Sequence, residues 1–213
     1  MQINIYKVND IEYKLKTRKL YEACFDAGKR DFIDYYYDVI IKRNEVVAIL
    51  DDDGNVLSMV HLNPYIYNIM GQETRVHYLV AVATDEHFRG RGFMRLVLST
   101  AIKYLRESGE MFCIIVPNDD RLMKTYENFG FEKAGMFNID KFSNEKFDIF
   151  PVRNDEFNEL MRKEEYFLGF ETEEYIEDLK SKVVMVNILN EDSLPFKSKD
   201  KFMLKSIYVC QEV

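Results

Sequence analysis

The spacing of apolar positions predicts helices at the start of the chain and paired strands after them. Apolar residues at helical spacing predict two helices, over residues 11–26 and 29–41, split at Ala27 and Gly28. Four runs with the β-branched and aromatic composition of strands follow, in two pairs around turns at 51–55 and 71–72. These predicted strands are residues 45–50, 56–62, 65–70 and 74–84.

The middle of the chain returns to the helical period. Residues 92–108 predict a long amphipathic helix, whose apolar stripe comprises Met94, Val97, Leu98, Ala101, Ile102 and Leu105. Strands are predicted at 111–116 and 131–137, on either side of a helix at 119–129. Beyond about Lys141 the pattern is weaker and indicates a helix over 152–179 and strands over 183–189 and 202–210.

This order of elements predicts a mixed α/β (α+β) protein. An antiparallel meander is followed by strand, helix, strand, helix and strand, with one crossover helix packed on the sheet. We therefore expect a mixed, mostly antiparallel central sheet with flanking helices, formed by a domain over residues 1–140. Residues 141–213 are expected to be a C-terminal extension, whose packing the sequence leaves open.

The composition restricts the class of protein. Hydrophobic residues make up 47% and charged residues 31% of the 213 residues, so a packed core is expected rather than disorder. The apolar runs are too short to span a bilayer, and the N-terminus lacks a secretory signal. A net charge of −8 argues against non-specific binding to nucleic acid. The three cysteines show no metal-ligand spacing and no disulfide framework, so a cytoplasmic protein without metal is expected.

The segment from Arg89 to Met94 carries the clearest chemical signal. It has the sequence Arg-Gly-Arg-Gly-Phe-Met and lies between a predicted strand and the start of the long helix. Gly90 and Gly92 can adopt backbone conformations that a Cβ would penalise. Unpaired N–H groups at a helix start, with Arg89 and Arg91 beside them, suit a pyrophosphate. Taken alone, such a hexapeptide would favour an ordinary turn, and its position at the helix start reverses that preference.

With this motif the chain resembles the GNAT superfamily of N-acetyltransferases. Arg89 and Gly92 match that family's cofactor signature, Arg/Gln-x-x-Gly-x-Gly/Ala, whereas Met94 stands where the family has a small residue. The sequence Val-Ala-Thr…Arg-Gly-Arg-Gly-Phe-Met looks most like the branch that contains the enhanced-intracellular-survival acetyltransferases. The resemblance covers residues 30–135, and the two further domains usual in that branch would not fit in this chain.

The resemblance implies acetyl-CoA, a form of coenzyme A, as the cofactor. Carried over position by position, it implies that Ala81, Val82 and Ala83 offer backbone groups to the pantetheine arm. It also implies that the pyrophosphate is held by Arg89, Gly90, Arg91, Gly92, Phe93 and Met94. From the residues alone, the run Ala81–Ala83 is equally compatible with a simple buried strand.

The segment from Asn118 to Phe131 matches the second half of the family's signature, which ends in Tyr-x-x-Phe/Leu-Gly-Phe. The resemblance places Tyr126 beside the thiol of the cofactor. A phenol with a pKa near 10 would be protonated there and could protonate the departing thiolate. Alternatively, Tyr126, Leu122 and Phe129 form one helix face packed on the sheet, and the two roles are compatible.

The sequence does not single out the base that deprotonates the amine. His77 is one candidate, because alternation along the strand places it on the same face as Leu79, Ala81 and Ala83. A histidine on a strand is nevertheless often structural. Water-mediated deprotonation is an equal alternative, and the rival side chains are His61, Glu73, Asp85 and Glu86.

The second predicted helix is unusually aromatic. Its aromatic residues could hold a cationic amine over the acceptor cleft, or they could pack in the core. The residues concerned are Phe32, Tyr35, Tyr36 and Tyr37.

These features together predict an acyl-CoA-dependent N-acyltransferase, and specifically an N-acetyltransferase. A primary amine, on a small molecule or a protein, would attack the thioester directly in a ternary complex. The alternative from another class is a non-catalytic acyl-CoA-binding sensor or regulatory module, and a structural scaffold is a third interpretation. Neither a membrane nor a nucleic acid is an expected partner, and the sequence is compatible with a homo-oligomer.

Overall fold

The computed structural model describes residues 1–25, 30–69, 71–136, 149–152 and 183–194, together with 155, 158–159 and 162–163. The strands in these ranges are β1 (Gln2–Tyr6), β2 (Glu45–Leu50), β3 (Val56–Ile69), β4 (Gln72–Thr84), β5 (Phe112–Ile115), β6 (Glu132–Met136), β7 (Ile149–Pro151) and β8 (Val183–Ile188). The α-helices are α1 (Ile11–Leu15), α2 (Arg18–Phe25), α3 (Arg30–Asp38), α4 (Phe93–Glu107) and α5 (Asp120–Glu127).

The chain divides into two compact units, of which the first comprises Met1–Pro64 and Tyr78–Glu107. In this unit β1, β2, β3 and β4 lie side by side in that order. β2 is antiparallel to both of its neighbours, with Gln2 opposite Leu50 and Glu45 opposite Leu62. Helix α4 packs against β2. Its buried residues are Val97, Leu98, Ala101, Ile102 and Leu105.

The second unit comprises Tyr65–His77 and residues from Ser108 onward. In it β8 lies between β5 and β6 and is antiparallel to both, with Phe112 and Glu132 opposite Ile188 and Val186 respectively. β7 is antiparallel to the end of β3. A strand from the predicted C-terminal extension thus lies between two strands that precede the extension in the sequence.

The predicted mixed α/β fold, with a mostly antiparallel sheet and flanking helices, is confirmed. Strands β1 and β7 have no counterpart in the sequence prediction, because both are short and weakly patterned. The predicted strand over 202–210 and most of the predicted helix over 152–179 lie outside the described residues. Among the helices that are described, none combines the length and apolar character that crossing a bilayer requires.

The prediction of a continuous helix over residues 11–26 is wrong. The helix breaks between α1 and α2, where the amides of Lys16 and Thr17 donate to the carbonyls of Tyr13 and Lys14, three residues back, at 3.2 and 3.0 Å. The Thr17 hydroxyl also donates to the Lys14 carbonyl at 2.6 Å and lies 3.0 Å from the Tyr37 hydroxyl. A local side-chain bond to a backbone carbonyl competes with the next helical turn.

The prediction of two separate strands at 56–62 and 65–70 is also wrong. Residues 56–69 form the single strand β3, which continues through Asn63 and Pro64. A proline removes only one backbone donor, and extended backbone accommodates its fixed φ. The asparagine–proline pair signals a turn in the sequence, but the long hairpin partner β4 keeps the chain extended.

Candidate functional site

The segment between β4 and α4 presents a run of backbone amides at the start of a 15-residue helix. Gly90 and Gly92 have φ of +75° and +82°. The first α-helical hydrogen bond runs from the Leu96 amide to the Gly92 carbonyl at 3.1 Å. In the described part of the chain, no acceptor is found for the amides of residues 90–94. Five consecutive N–H groups at the positive end of a helix dipole form a suitable anion site.

Backbone geometry, and not crowding, requires the two glycines. A Cβ added at Gly90 or at Gly92 would have no atom within 4 Å. The positive φ is what an L-residue resists, at a cost of roughly 1–2 kcal/mol. The open space above the backbone is the space that an approaching ligand needs.

The turn that leads into the glycines is held by its own side chains. The 3₁₀ turn Glu86–Phe88 is capped by Asp85, whose carboxylate accepts from the His87 amide at 2.9 Å. The Phe88 ring stacks on Phe93 at 6.1 Å, and the Arg91 guanidinium lies 5.0 Å from the centre of the Phe88 ring. These contacts hold the start of α4 in a defined conformation.

Arg89 is exposed but tethered at its base. Its Nε donates to the Thr84 carbonyl at 3.2 Å. The Arg89 guanidinium also interacts with the Cys24 thiol. Burial raises the pKa of that thiol, and the charge of Arg89 opposes the rise. The arginine is therefore oriented by the surrounding structure and does not extend freely into solvent.

Strand β4 changes conformation at Ala81. Its φ is +51°, a left-handed value that is uncommon for any residue except glycine. Ala81 and Ala83 are buried, whereas Val82 is partly exposed. A left-handed residue interrupts the two-residue alternation of a strand. The inference that His77 shares a face with Ala81 and Ala83 therefore does not hold across this point.

Tyr126 lies on α5 in the second unit. Asp119 caps this helix by accepting from the Leu122 amide at 2.7 Å. Tyr126 is 4% exposed, and its ring lies 6.1 Å from that of Phe131. Burial raises the pKa of Tyr126 to about 12.

His77 is buried beside a carboxylate, also in the second unit. Its Nδ1 lies 3.3 Å from Oε1 of Glu110, and both side chains are 2% exposed. The same oxygen accepts from Nε of Arg75 at 2.8 Å. Within the described ranges, Oε2 of Glu110 has no hydrogen-bond partner. Glu110 is 33 positions from His77 in the sequence, and no local pattern indicates the pair.

Of the other candidate bases, His61 belongs to a buried polar network. Its Nδ1 lies 2.9 Å from the Tyr36 hydroxyl, which also bonds to Asn63 at 3.2 Å. Asn44 donates to the Asn63 side chain at 2.9 Å. Burial, and secondarily the charge of Lys14, lowers the pKa of His61 to about 3. His61 is thus fully buried and neutral at physiological pH.

The remaining rival bases have other surroundings. Glu73 and Glu86 are exposed, and Asp85 is engaged as the cap of the 3₁₀ turn. The aromatic residues of α3 are mainly core: Phe32, Tyr36 and Tyr37 are each at most 2% exposed. Only Tyr35 of that group is partly exposed. Among described residues, no cluster of three metal-ligating side chains is present.

The predicted site residues therefore fall into two groups. Residues 81–83 and 89–94 all belong to the first unit and are joined there by β4, the capped turn and α4. His77 and Tyr126 belong to the second unit. Sequence reasoning missed Ser58, Thr84 and Glu110, whose contacts join positions far apart in the chain.

Comparison with known families gives a match over more than half of the chain. The model of a family described as an acetyltransferase (GNAT) domain matches residues 9–134. By sequence, no curated protein matches.

Several solved structures share the fold at low sequence identity. A GNAT family N-acetyltransferase from Escherichia coli, in complex with CoA, has a TM-score of 0.58 and 14% identity over 97% of this chain and 87% of that one. Aminoglycoside 6′-acetyltransferase type Ii has a TM-score of 0.57 and 12% identity over 89% and 98%. A protein from Enterococcus faecalis, named a probable N-acyltransferase, gives 0.51 and 15% over 63% and 33%. This chain therefore spans about a third of that last protein's length.

Proposed function

Because the chain belongs to the acetyltransferase (GNAT) family, we propose that it is an acetyl-CoA-dependent N-acetyltransferase acting on a primary amine. The run of unpartnered amides over residues 90–94 carries this proposal. The amides and the open space above Gly90 and Gly92 fit a diphosphate, with Arg89 beside them. The E. coli structure of the same fold contains CoA.

Strand β4 would hold the rest of the cofactor. Ala81, Val82 and Ala83 precede the amide run, and Ala81 has a left-handed φ that departs from regular strand geometry. Acetyl-CoA, when bound, supplies a thioester that an amine can attack. Backbone N–H groups near Val82 would then stabilise the negative charge on the carbonyl oxygen. Holding the amine and the thioester together can lower the activation barrier by on the order of 7–11 kcal/mol, so the reaction needs only modest acid–base assistance.

Two residues are proposed to handle protons. Tyr126 would donate to the sulfur that leaves, and His77 would accept the proton of the amine. Burial of the Tyr126 side chain, which raises the pKa of the phenol and keeps it protonated, supports the first role. The buried Glu110 carboxylate, whose Oε1 lies 3.3 Å from Nδ1 of His77, supports the second. Since His77 is 2% exposed, its proton transfer would pass through water or through a substrate-induced opening.

The substitution His77→Gln tests the base. We expect kcat to fall by about 100-fold at neutral pH, a loss typical of general-base catalysis. The ratio of wild-type to variant rates should approach one as the pH rises to the pKa of the amine, because the amine then loses its proton unaided. The measurement is thiol release at saturating substrates between pH 7 and 10. A ratio that does not change with pH would mean that His77 has only a structural role.

The branch of the family to which the chain belongs is proposed from the motif that ends at Met94. Val-Ala-Thr…Arg-Gly-Arg-Gly-Phe-Met, with Met94 at the third restricted position, supports a relationship to the enhanced-intracellular-survival branch. We also propose that residues 1–140 form most of the acetyltransferase domain. Small-molecule amines and protein amines are both candidate acceptors. Aminoglycosides are included among the small-molecule amines because one protein with this fold is named an aminoglycoside 6′-acetyltransferase.

Matched glycine variants test cofactor binding. Gly92→Ala and Gly109→Ala both place a Cβ at φ +82° with no atom within 4 Å, so each should cost about 1–2 kcal/mol of stability. Only Gly92 lies in the amide run, and we expect only Gly92→Ala to weaken acetyl-CoA binding, by about tenfold or more. Calorimetric titration with acetyl-CoA measures this. Equal affinities for the two variants would place the cofactor elsewhere.

Turnover separates the enzyme from a sensor. Wild-type protein with acetyl-CoA and a panel of polyamines, aminoglycosides, amino acids and lysine peptides should release free thiol with at least one amine. Tight acetyl-CoA binding without thiol release from any amine would favour the non-catalytic acyl-CoA-binding module. Absence of any binding would overturn both interpretations.

A further inference from the structure

We propose that Ser58 and Thr84 are positioning residues that orient Arg89 toward the pyrophosphate. The inference rests on the proposed function, because it assumes that Arg89 faces a diphosphate. Thr84 connects the buried Ser58 to the exposed Arg89: its hydroxyl bonds to Ser58, and its backbone carbonyl accepts from the Arg89 guanidinium. All three residues belong to the first unit.

The chain of bonds begins at a fully buried hydroxyl. Ser58 is 0% exposed, and its Oγ donates to the Ala83 carbonyl at 2.8 Å. The Ser58 Oγ also lies 2.9 Å from the Thr84 Oγ1. A serine hydroxyl has one hydrogen to donate, so the Thr84 hydroxyl must donate to Ser58. The Thr84 side chain is therefore held in one rotamer.

The chain continues through the Thr84 backbone. The Thr84 carbonyl accepts from Nε of Arg89 at 3.2 Å. The next residue, Asp85, donates its amide to the Leu57 carbonyl at 2.9 Å, which attaches this end of β4 to β3. Ser58 and Leu57 thus fix both the side chain and the backbone immediately before the capped turn.

An exposed arginine needs such a tether to bind an anion well. A long, free side chain loses conformational freedom when it binds, and that loss weakens affinity. With Nε bound to Thr84, the terminal N–H groups of the guanidinium that do not face the Cys24 thiol are left to face a phosphate. Ala81, with its left-handed φ of +51°, lies only three residues before Thr84 in the same strand.

Paired hydroxyls on adjacent strands also occur as simple cross-strand contacts. A purely structural pair would affect every substrate equally. A pair that acts through Arg89 affects only ligands that carry the pyrophosphate. Acetyl-CoA and S-acetylpantetheine, which share the thioester but not the diphosphate, distinguish these cases.

The experiment compares two hydroxyl deletions with matched controls. Ser58→Ala and Thr84→Val remove one hydroxyl each, Thr84→Ser retains it, and Ser99→Ala removes an exposed serine hydroxyl on α4. We expect Ser58→Ala and Thr84→Val to raise the KM for acetyl-CoA about three- to tenfold, the effect of losing one hydrogen bond. The kcat of Thr84→Val, which leaves the bond from Ser58 to the Ala83 carbonyl in place, and its KM for S-acetylpantetheine should stay at the wild-type values. Thr84→Ser and Ser99→Ala should behave as wild type.

The outcomes are separable. If wild-type protein fails to bind acetyl-CoA, the proposed function fails. If the wild-type protein binds acetyl-CoA and both hydroxyl deletions bind it as tightly as wild type does, the positioning role is wrong. It is also wrong if both deletions lose the same affinity for acetyl-CoA and for S-acetylpantetheine. In an Arg89→Ala background, Ser58→Ala should add no further loss in acetyl-CoA affinity, because the two act on one interaction. An additive loss would overturn the proposal.

Discussion

The substitution Tyr126→Phe is expected to lower kcat by about 100-fold, with little change in the KM for acetyl-CoA. Losing one hydrogen bond to a charge that develops in a water-poor site costs on the order of 10²–10³ in rate. The ring packing on Phe131 would remain, because phenylalanine keeps the shape of the side chain. The measurement is the steady-state rate of thiol release at saturating amine.

The raised pKa of Tyr126 favours a hydrogen-bonding role over complete proton transfer. At about 12, it keeps the phenol protonated at every pH in the assay. It also makes the phenol a weaker acid than a thiol of pKa near 8.5, so complete transfer to a thiolate is uphill by roughly 5 kcal/mol. We therefore expect Tyr126 to stabilise the leaving sulfur by hydrogen bonding, with no descending limb of the pH profile due to Tyr126 below pH 10.

Tyr37→Phe is the matched control. Tyr37 is another buried tyrosine, and its hydroxyl lies 3.0 Å from the Thr17 hydroxyl, in the first unit. This variant should lose about 1 kcal/mol of stability and keep its kcat. If Tyr126→Phe retains kcat within about threefold, or if both variants lose the same activity, the role of Tyr126 is structural.

Acidification is expected to destabilise the fold through His61 before the carboxylates are protonated. Burial, and then the charge of Lys14, lowers the pKa of His61 to about 3, while the unfolded chain has the ordinary value near 6.5. The unfolded state therefore binds more protons between these values. The contribution of the neutral, buried His61 to the free energy of unfolding is therefore complete above pH 6.5, and it is lost as the pH falls. The loss is about 2 kcal/mol by pH 5 and on the order of 4–5 kcal/mol by pH 3.

The substitution His61→Asn removes the titration and offers the Tyr36 hydroxyl a partner near the position of Nδ1. We expect this variant to be less stable than wild type at pH 7 but to have a flatter pH dependence between pH 7 and 5. Urea unfolding at pH 7, 6 and 5 measures the difference. His87→Asn is the control, because the His87 side chain is 80% exposed and should not affect the slope. Parallel curves for wild type and His61→Asn would contradict the assignment.

Local pattern predicted the elements that have a strong period. β2 has the predicted bounds, Glu45–Leu50, and α4 differs from its prediction by one residue at each end. The amide run over residues 90–94 could also be predicted, because its glycines, arginines and helix start are contiguous. Where the signal was local but ambiguous, at Thr17 and at Asn63–Pro64, partners elsewhere in the chain decided the outcome.

The sequence by itself determined the alternation of helices and strands, the anion-binding segment and the family resemblance, because each depends on residues that are neighbours in the chain. Only the tertiary structure could show the left-handed turn at Ala81, the buried pair of His77 and Glu110, and the hydroxyl link from Ser58 to Thr84. Those features depend on groups 26 or more positions apart, or on a backbone conformation that alanine rarely adopts. No spacing rule along the chain encodes them, since folding alone brings the partners within hydrogen-bond distance.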